Sequence, residues 1–407
     1  MKYIVILLFL GILSSCKTEK SKPVSIQDDV VFLSADSLEG RQTGTEGEIL
    51  AAKYISNRFE NLGIDGKGTD GYFQEFSFKP KTNPHQQVNY TVKDGDSTIT
   101  GTNVIGFLNN NAENTIVIGA HYDHLGYGAE GSLHRGEKAI HNGADDNASG
   151  IAVMLNLAEK LKGKNTNNNY LFMAFSGEEM GLLGSNYFVK NPTIDTKKVN
   201  YMINMDMVGR LKADSTLAVY GVGTSPILKQ TLKAHNESFK LIQKESGIGP
   251  SDHTSFYNAD IPVLHFFTGQ HEDYHKPTDD FDKLNYKGMQ TISNYIFEVI
   301  SDLDDNGKLP FRKTKNESEE TPRFKVGLGV IPDYLYDGKG MRIDGISEDK
   351  PAQKAGLQKG DIVVKLGDSA VVDMMSYMKA LATFKKGDTT KVVVDREGEQ
   401  VEAKIEF

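Results

Sequence analysis

The stretch TIVIGAHYDH, residues 115–124, indicates both the fold and the position of its chemistry. The apolar, β-branched run TIVIGA is typical of a buried strand, and His121 and Asp123 follow it directly. A second such run, YLFMAFSGEE at residues 170–179, ends on Glu178 and Glu179. In α/β proteins the residues that follow the strands lie at the sheet edge that carries the site. These two stretches therefore predict a sheet with a polar site at one edge.

Outward from these strands, apolar runs and helical periodicity alternate along the chain. The periodicity predicts helices over residues 45–62, 149–161, 181–189, 225–238 and 286–303. The apolar runs predict strands over residues 103–108, 115–120, 170–176, 199–207 and 261–267. Such alternation is typical of an α/β fold, with a mixed, mainly parallel sheet flanked by helices.

Length and composition narrow the possibilities. The chain has 407 residues, which favours a catalytic domain of about 250–300 residues with a smaller second domain. Its charged fraction of 25% and hydrophobic fraction of 38% are those of a soluble globular protein. A formal net charge of −9 offers no basic face, so we expect no nucleic-acid partner.

Residues 1–16 predict a signal peptide, with Lys2 followed by an apolar run and then by small residues. The run of about eleven residues is too short to cross a bilayer, which needs about 20. The stretch LSSC, residues 13–16, resembles the bacterial lipobox, which implies that Cys16 carries lipid; an ordinary secretion signal is the alternative. Cys16 is the only cysteine, so no disulfide forms within the chain.

We therefore expect an exported protein, anchored by lipid to a bacterial membrane on its periplasmic or cell-surface side. The anchor would be its only contact with the membrane. The polar residues 17–27 are predicted to form a tether between the anchor and the folded protein.

Five stretches each contain one side chain of a type that binds zinc: His121 in GAHYDH, Asp146 in GADDNASG, Glu179 in SGEE, Asp206 in NMDMVG and His275 in DYHKPTDD. Zinc binds imidazole nitrogen and carboxylate oxygen at about 2.0–2.2 Å, so two histidines and three acids can hold two ions that share one carboxylate. With ten histidines and 55 acidic residues in the chain, no single stretch is decisive. Their joint pattern predicts a two-zinc hydrolase.

Each stretch also has a plainer interpretation. In the first two stretches, His121 and Asp123 could be a hydrogen-bonded pair, and Asn147 or Ser149 could cap a helix. In the next two, Glu178 and Glu179 could be solvated, and Asp206 could form a salt bridge with Arg210. His275 could lie at the surface, and His265 and His271 are alternative ligands in the same region.

In their order and context, the five stretches resemble the zinc peptidases of family M28, and the resemblance covers residues 28–303. It implies two zinc ions, one bound by His121 and Asp206 and the other by Glu179 and His275. It further implies that Asp146 bridges them.

The same resemblance implies that Glu178 is the general base and that Asp123 orients the histidine ligand. Because the family contains many aminopeptidases, the expected activity is removal of N-terminal residues from peptides. For the oxyanion donor, Tyr274 and His253 are both candidates. Two alternatives remain at this point: a glutaminyl-cyclase-like acyltransferase, which needs one zinc, and a non-catalytic peptide-binding lipoprotein.

Residues 304–322 are rich in charge, Asn, Gly and Pro, which predicts a linker. Residues 323–407 resemble a PDZ domain, most specifically in PAQKAGLQKGDIVVKLGD at residues 351–368. The resemblance implies a β-rich fold and a carboxylate-binding loop formed by Gly327, Leu328, Gly329 and Val330. Peptide C-termini are the partners that such a loop binds. A small domain that only stabilises the protein is the alternative.

Overall fold

The computed structural model describes residues 23–80, 90–93, 95–128, 130–315, 325–336, 338–347 and 349–407. The predicted signal peptide with Cys16, and residues 17–22 of the predicted tether, lie outside the described residues. Within the described ranges, no helix combines the length and the apolar character needed to cross a membrane.

The first domain alternates strands and helices. Its strands are β1 (Asp65–Gly66), β2 (Phe73–Phe78), β3 (Ile99–Leu108), β4 (Asn114–His121), β5 (Asn168–Phe175), β6 (Val199–Met205), β7 (Thr216–Tyr220), β8 (Lys240–Lys244) and β9 (Val263–Phe267). Its α-helices are α1 (Ile26–Leu33), α2 (Glu46–Asn61), α3 (Gly150–Leu161), α4 (Leu183–Lys190), α5 (Leu228–Ala234), α6 (His253–Tyr257) and α7 (Tyr286–Leu303). Shorter helical turns lie at Asp36–Arg41, Ala144–Ser149, Thr196–Lys198 and Phe281–Lys283.

Among the described residues, these nine strands form one sheet in the order β1-β3-β5-β4-β6-β9-β7-β8, with β2 paired to β3. The central strands β5, β4, β6 and β9 run parallel, whereas β3 and β7 are antiparallel to the central strands beside them. Successive residues of β4 face opposite sides: Ile116 and Ile118 enter one apolar core and Val117 the other. The predicted mixed sheet flanked by helices is confirmed, but it is less parallel than predicted: four of its strand pairings in the described residues are parallel and four are antiparallel.

The local sequence explains where the helices begin and end. Helix α2 begins after Thr45, whose side chain accepts a hydrogen bond from the backbone N–H of Glu48, and it ends just before Gly63, whose φ is +67°. Helix α7 spans the predicted residues 286–303. The helix predicted at residues 225–238 is shorter and forms only over Leu228–Ala234.

Helix α1 begins inside the predicted tether. Ser25 and Asp28 form a capping box, and Ile26, Val30 and Leu33 are buried. The folded part of the chain therefore begins at least two residues before the predicted boundary at Asp28.

The first part of the predicted linker is also packed against the first domain. Leu309 is 4% exposed and lies in the larger apolar core. Phe311 packs on Tyr257 with ring centroids 5.5 Å apart, and the backbone N–H of Thr314 donates to the Tyr257 hydroxyl at 2.9 Å. Residues 304–315 thus pack against the first domain, whereas residues 316–324 are outside the described part of the chain.

The second domain is β-rich, as predicted. Its strands are β10 (Val330–Pro332), β11 (Met341–Ile346), β12 (Ile362–Leu366), β13 (Ser369–Ala370), β14 (Thr389–Arg396) and β15 (Glu399–Glu406), with helices α8 (Pro351–Lys354) and α9 (Met374–Leu381). In the described residues the strands follow the order β10-β11-β12-β14-β15, with β13 paired to β12. Gly329, within the predicted carboxylate-binding loop, has φ +76°, a conformation that glycine adopts without strain.

The two domains touch beside the loop that leads to His275. Lys212 of the first domain forms an ion pair with Asp344 of the second at 2.8 Å. Leu335, which is 4% exposed, lies against Gly269, since a Cβ added to that glycine would be 2.9 Å from Leu335 Cδ1. The second domain therefore packs against residues 269–275, the segment that ends at His275.

Candidate active site

Three neighbouring parallel strands deliver side chains to one edge of the sheet. His121 is the last residue of β4, Asp206 directly follows β6, and Glu178 and Glu179 lie in the turn after β5. Because parallel strands end at the same edge, residues far apart in sequence meet there. Two loops complete the cluster by bringing in Asp146 and His275.

A first group of ligand atoms consists of His121, Asp146 and Asp206. Nε2 of His121 lies 3.3 Å from Oδ1 of Asp146 and 3.4 Å from Oδ1 of Asp206. Ligands bound tetrahedrally to zinc at about 2.0–2.2 Å are themselves about 3.3–3.6 Å apart. The first group therefore has the spacing that one zinc ion requires.

A second group lies on the other side of Asp146. Nε2 of His275 lies 3.3 Å from Oδ2 of Asp146 and 3.2 Å from Oε2 of Glu179. Asp146 thus presents one carboxylate oxygen to each group, which is the geometry of a bridging ligand. His275 has φ +54°, an uncommon conformation for a residue with a side chain and one that recurs at functional sites.

The carboxylates of the two ligand groups favour positive charge on the histidines between them. Burial opposes protonation of His121, but the carboxylates of Asp206 and Glu178 outweigh it and raise the pKa of His121 well above its usual range. Burial likewise opposes protonation of His275, and Glu179 and Asp146 raise its pKa to about 11. A site whose carboxylates hold protons on its imidazoles fits two divalent metal ions, which would replace those protons.

Glu178 differs from its neighbour Glu179 in its electrostatics. Burial raises the pKa of Glu178 well above its usual range, and Asp206 and Glu179 add to the shift against the opposing effect of His121. For Glu179, burial and Asp146 favour the neutral acid, but His275 and a hydrogen bond from His124 lower its pKa to about 2. Adjacent carboxyls with pKa values shifted in opposite directions are suited to separate roles, one as ligand and one in proton transfer.

Asp123 holds the turn that carries Glu178. Its Oδ1 accepts a hydrogen bond from the backbone N–H of Glu178 at 3.1 Å, and its Oδ2 accepts one from the Thr43 hydroxyl at 3.1 Å. Nδ1 of His121 lies 3.2 Å from the main-chain carbonyl of Asp123 and 3.7 Å from its carboxylate. Since 3.7 Å exceeds hydrogen-bond distance, the main-chain carbonyl orients His121, and the carboxylate orients the Glu178 turn.

The turn that carries Asp146 is fixed from three directions. Oδ2 of Asp279 accepts the backbone N–H groups of Asp145 and Asp146 at 3.0 and 3.1 Å. Asp145 in turn contacts Nε2 of His271 at 3.1 Å. Oδ1 of Asn147 accepts the backbone N–H of Gly150 at 3.0 Å, whereas Ser149, the residue before α3, makes no side-chain cap hydrogen bond.

The other plain interpretations also have a structural outcome. Arg210 pairs with Asp273 at 3.0 Å, and no ion pair between Arg210 and Asp206 is found among the described residues. Nε2 of His271 lies 3.1 Å from Oδ2 of Asp145, and Nδ1 of His265 lies 3.1 Å from Nδ2 of Asn204. Of the three histidines in this region, His275 is therefore the one at the ligand cluster.

The two oxyanion candidates lie in different surroundings. The ring of Tyr274 stacks on His275 at 3.8 Å, and burial together with Asp146 and Glu179 raises the pKa of Tyr274 well above its usual range. Its hydroxyl therefore stays protonated and able to donate. His253 is fully buried and stacks on His265 at 4.4 Å, so a substrate carbonyl has no access to it, and the structure disfavours His253 as the donor.

Besides Asp279, two further residues at the site were not singled out from the sequence. His124 lies inside the motif GAHYDH, and its Nδ1 is 2.7 Å from Oε1 of Glu179. Asp252, the residue before His253, is fully buried, and burial, with Asp123 and Asp206 adding against His121, raises its pKa to about 7. The sequence offered one indication: His124 directly follows Asp123, and Asp252 directly precedes His253.

Comparison with known proteins identifies similar families and folds. Residues 103–300 match the model of peptidase family M28, and residues 312–407 match that of the PDZ domain. Aminopeptidase YwaD of Bacillus subtilis (strain 168) is 28% identical over 225 residues, which are 52% of this chain and 46% of that protein. The chain spans about half the length of the curated relatives it matches.

Two solved structures share the fold of the first domain. BSAP, a zinc aminopeptidase from Bacillus subtilis, superposes with a TM-score of 0.55 at 18% identity, covering 72% of this chain and 97% of that one. Bacteroides thetaiotaomicron glutaminyl cyclase, bound to N-acetylhistamine, also has a TM-score of 0.55, at 17% identity over 68% of this chain and 96% of that one. At these identities the likeness concerns the fold.

Proposed function

We propose, from the match of residues 103–300 to the model of peptidase family M28, that this protein is a co-catalytic two-zinc aminopeptidase that removes N-terminal residues from peptides. One observation carries the proposal: the two carboxylate oxygens of Asp146 lie 3.3 Å from the imidazoles of His121 and His275, one on each side. The donor set of two histidines and three carboxylates is one that zinc favours.

The residues have separate tasks in the proposed reaction. His121 and Asp206 would hold one zinc ion, Glu179 and His275 the other, and Asp146 would hold both. When bound, the zinc pair polarises the scissile carbonyl and acidifies the attacking water. Glu178 accepts the proton of that water and returns it to the leaving amine, while Asp123 keeps the Glu178 turn in place through the 3.1 Å backbone hydrogen bond.

Tyr274 is the proposed oxyanion donor. Its ring lies on His275, and its hydroxyl stays protonated because of burial and the surrounding carboxylates. The charge that develops on the carbonyl oxygen needs a donor placed in advance, and a hydroxyl with a raised pKa donates without losing its proton. The acidic surroundings would also favour a substrate with a free, positively charged N-terminus.

A panel of substrates tests the activity. The purified protein is offered free and N-acetylated aminoacyl amides and dipeptides, together with peptides that begin with glutamine. Hydrolysis of the free substrates alone supports an aminopeptidase. Hydrolysis of both kinds at equal rates would contradict the requirement for a free N-terminus.

A second candidate is a glutaminyl-cyclase-like acyltransferase, which the similarity to the bacterial glutaminyl cyclase fold favours. Formation of pyroglutamate with one zinc per chain would support it. The presence of both ligand groups favours the peptidase. A non-catalytic peptide-binding protein is the least favoured function, because the ligand cluster and Glu178 are both in place.

We also propose that the protein is exported and anchored by lipid at Cys16, and that its PDZ domain binds peptide C-termini at Gly327, Leu328, Gly329 and Val330. Metabolic labelling with a palmitate analogue tests the anchor, and the Cys16→Ser variant should lose the label. Titration with peptides that carry a free or an amidated C-terminus tests the PDZ domain, and binding should require the free carboxylate.

A further inference from the structure

His124 touches the second ligand group without belonging to the proposed five-ligand set. Its side chain is fully buried, and its ring meets the ring of His275 edge-on, with centroids 5.8 Å apart at 70°. Nδ1 of His124 lies 2.7 Å from Oε1 of Glu179 and 4.0 Å from Oδ2 of Asp146. The histidine is therefore close enough to act on the centre, and its distances define how.

These distances are those of a hydrogen-bond donor. A contact of 2.7 Å is ordinary for an N–H group that donates to a carboxylate, for which distances of about 2.7–2.9 Å are typical. Two atoms bound to the same zinc ion are farther apart, at about 3.3–3.6 Å. His275 is close to that wider spacing, at 3.2 Å from Glu179 and 3.3 Å from Asp146, whereas His124 at 2.7 Å is too close to Glu179 and at 4.0 Å too far from Asp146.

The two oxygens of Glu179 are consequently divided between two histidines. Oε1 faces His124, and Oε2 faces His275. A carboxylate on a flexible side chain rotates unless one oxygen is held, and metal ligands are commonly oriented by such a hydrogen bond from a neighbouring residue. With Oε1 fixed, Oε2 points to the position between Asp146 and His275.

Packing holds the His124 ring in this orientation. A Cβ added to Gly143 would lie 2.5 Å from Cδ2 of His124 and 2.6 Å from Cγ, and Gly143 has φ +55°. The ring therefore fills the space left by a glycine at the start of the turn that carries Asp146. Nε2 is buried without a hydrogen-bond partner among the described residues, so Nδ1 is the ring nitrogen that makes the polar contact with Glu179.

We propose that His124 is a positioning residue, which donates its Nδ1–H to Oε1 of Glu179 and so presents Oε2 to the second zinc ion. This inference rests on the proposed two-zinc centre. Loss of the donor should weaken the second zinc site and leave the first, formed by His121 and Asp206, largely intact.

Two substitutions of similar polarity test the donor. In His124→Asn the amide nitrogen takes the position of Nδ1, whereas in His124→Gln it reaches the position of Nε2. The full-length apoproteins are titrated with zinc, and the two affinities and the final zinc content are measured. We expect His124→Asn to retain both sites, and His124→Gln to weaken one site by about 10- to 100-fold while the other is kept.

Each other outcome has a definite meaning. Equal loss of the second site in both variants would show that His124 is itself a ligand and would overturn the proposal. Two tight sites in His124→Gln would show that Glu179 needs no such donor and would overturn it as well. If the wild-type protein binds fewer than two zinc ions, the proposed two-zinc function fails instead, and this is seen before either variant is compared. The His124→Leu variant, whose side chain has the shape of asparagine but no donor, should behave like His124→Gln, and circular dichroism checks that all three variants are folded.

Discussion

The Oδ2 atom of Asp146 lies 3.3 Å from Nε2 of His275, while Oδ1 of the same carboxylate lies 3.3 Å from Nε2 of His121. One side chain therefore joins two ligand groups that come from different parts of the chain. The backbone N–H of Asp146 donates to Asp279 at 3.1 Å, so the position of this carboxylate does not depend on a bound metal ion.

The first prediction concerns this bridge. Asp146→Ala should lower zinc content at both positions, because each group loses one carboxylate oxygen. Zinc analysis after dialysis measures the effect. Asp206→Ala is the matched control and should weaken only the site of His121. Two tightly bound ions in Asp146→Ala would contradict the assignment of a shared ligand.

The second prediction concerns the general base. Glu178→Gln should retain both zinc ions and lose about 100- to 10,000-fold in kcat, since the amide has the shape of the acid but cannot accept the proton. Zinc content and steady-state kinetics are measured on the same preparation. Turnover close to that of the wild type would assign the base elsewhere.

Tyr274 is expected to act on the transition state alone. Tyr274→Phe should lower kcat by about 100- to 1,000-fold with little change in KM or in zinc content, because the ring keeps its stacking on His275 and only the hydroxyl is lost. His253→Asn offers a comparison, since this buried residue should affect stability before it affects kcat. An unchanged kcat in Tyr274→Phe would exclude the hydroxyl as the oxyanion donor.

Zinc binding should release protons and strengthen as the pH rises. In the metal-free protein the pKa of His121 is raised well above its usual range and that of His275 to about 11, so both imidazoles carry a proton at pH 7 that the metal must displace. Calorimetry in buffers of different ionisation enthalpy counts these protons. Binding at pH 7 without net proton release would contradict the protonation described for the two histidines.

Deletion of residues 323–407 should spare hydrolysis of small aminoacyl substrates. The second domain contacts the first at Lys212, Gly269 and Glu272, among others, and contributes none of the proposed ligands. The truncated and full-length proteins are compared in kcat/KM, zinc content and thermal midpoint, with Lys212→Ala as a milder disruption of the contact. A folded, zinc-loaded but inactive truncation would mean that the second domain completes the active site.

The sequence predicted best what depends on local patterns. The apolar runs of β4, β5 and β6 are buried at every position or nearly so. Their sequences therefore predicted both the strands and the polar site at the strand ends. Strand β8 has no buried residue, and its weak hydrophobic signal was missed. Residues that act through long-range contacts also escaped prediction: His124 meets Glu179 across 55 positions and Asp279 meets Asp145 across 134. The residues next to them in the sequence do not indicate such partners.

A zinc titration of the apoprotein, with hydrolysis of an unblocked aminoacyl amide followed at each addition, tests the central claim most directly. The two-group geometry around Asp146 predicts that activity rises to a plateau at two zinc ions per chain and that the N-acetylated amide stays intact. A plateau at one zinc ion, or zinc-loaded protein that converts N-terminal glutamine to pyroglutamate and hydrolyses nothing, would contradict it.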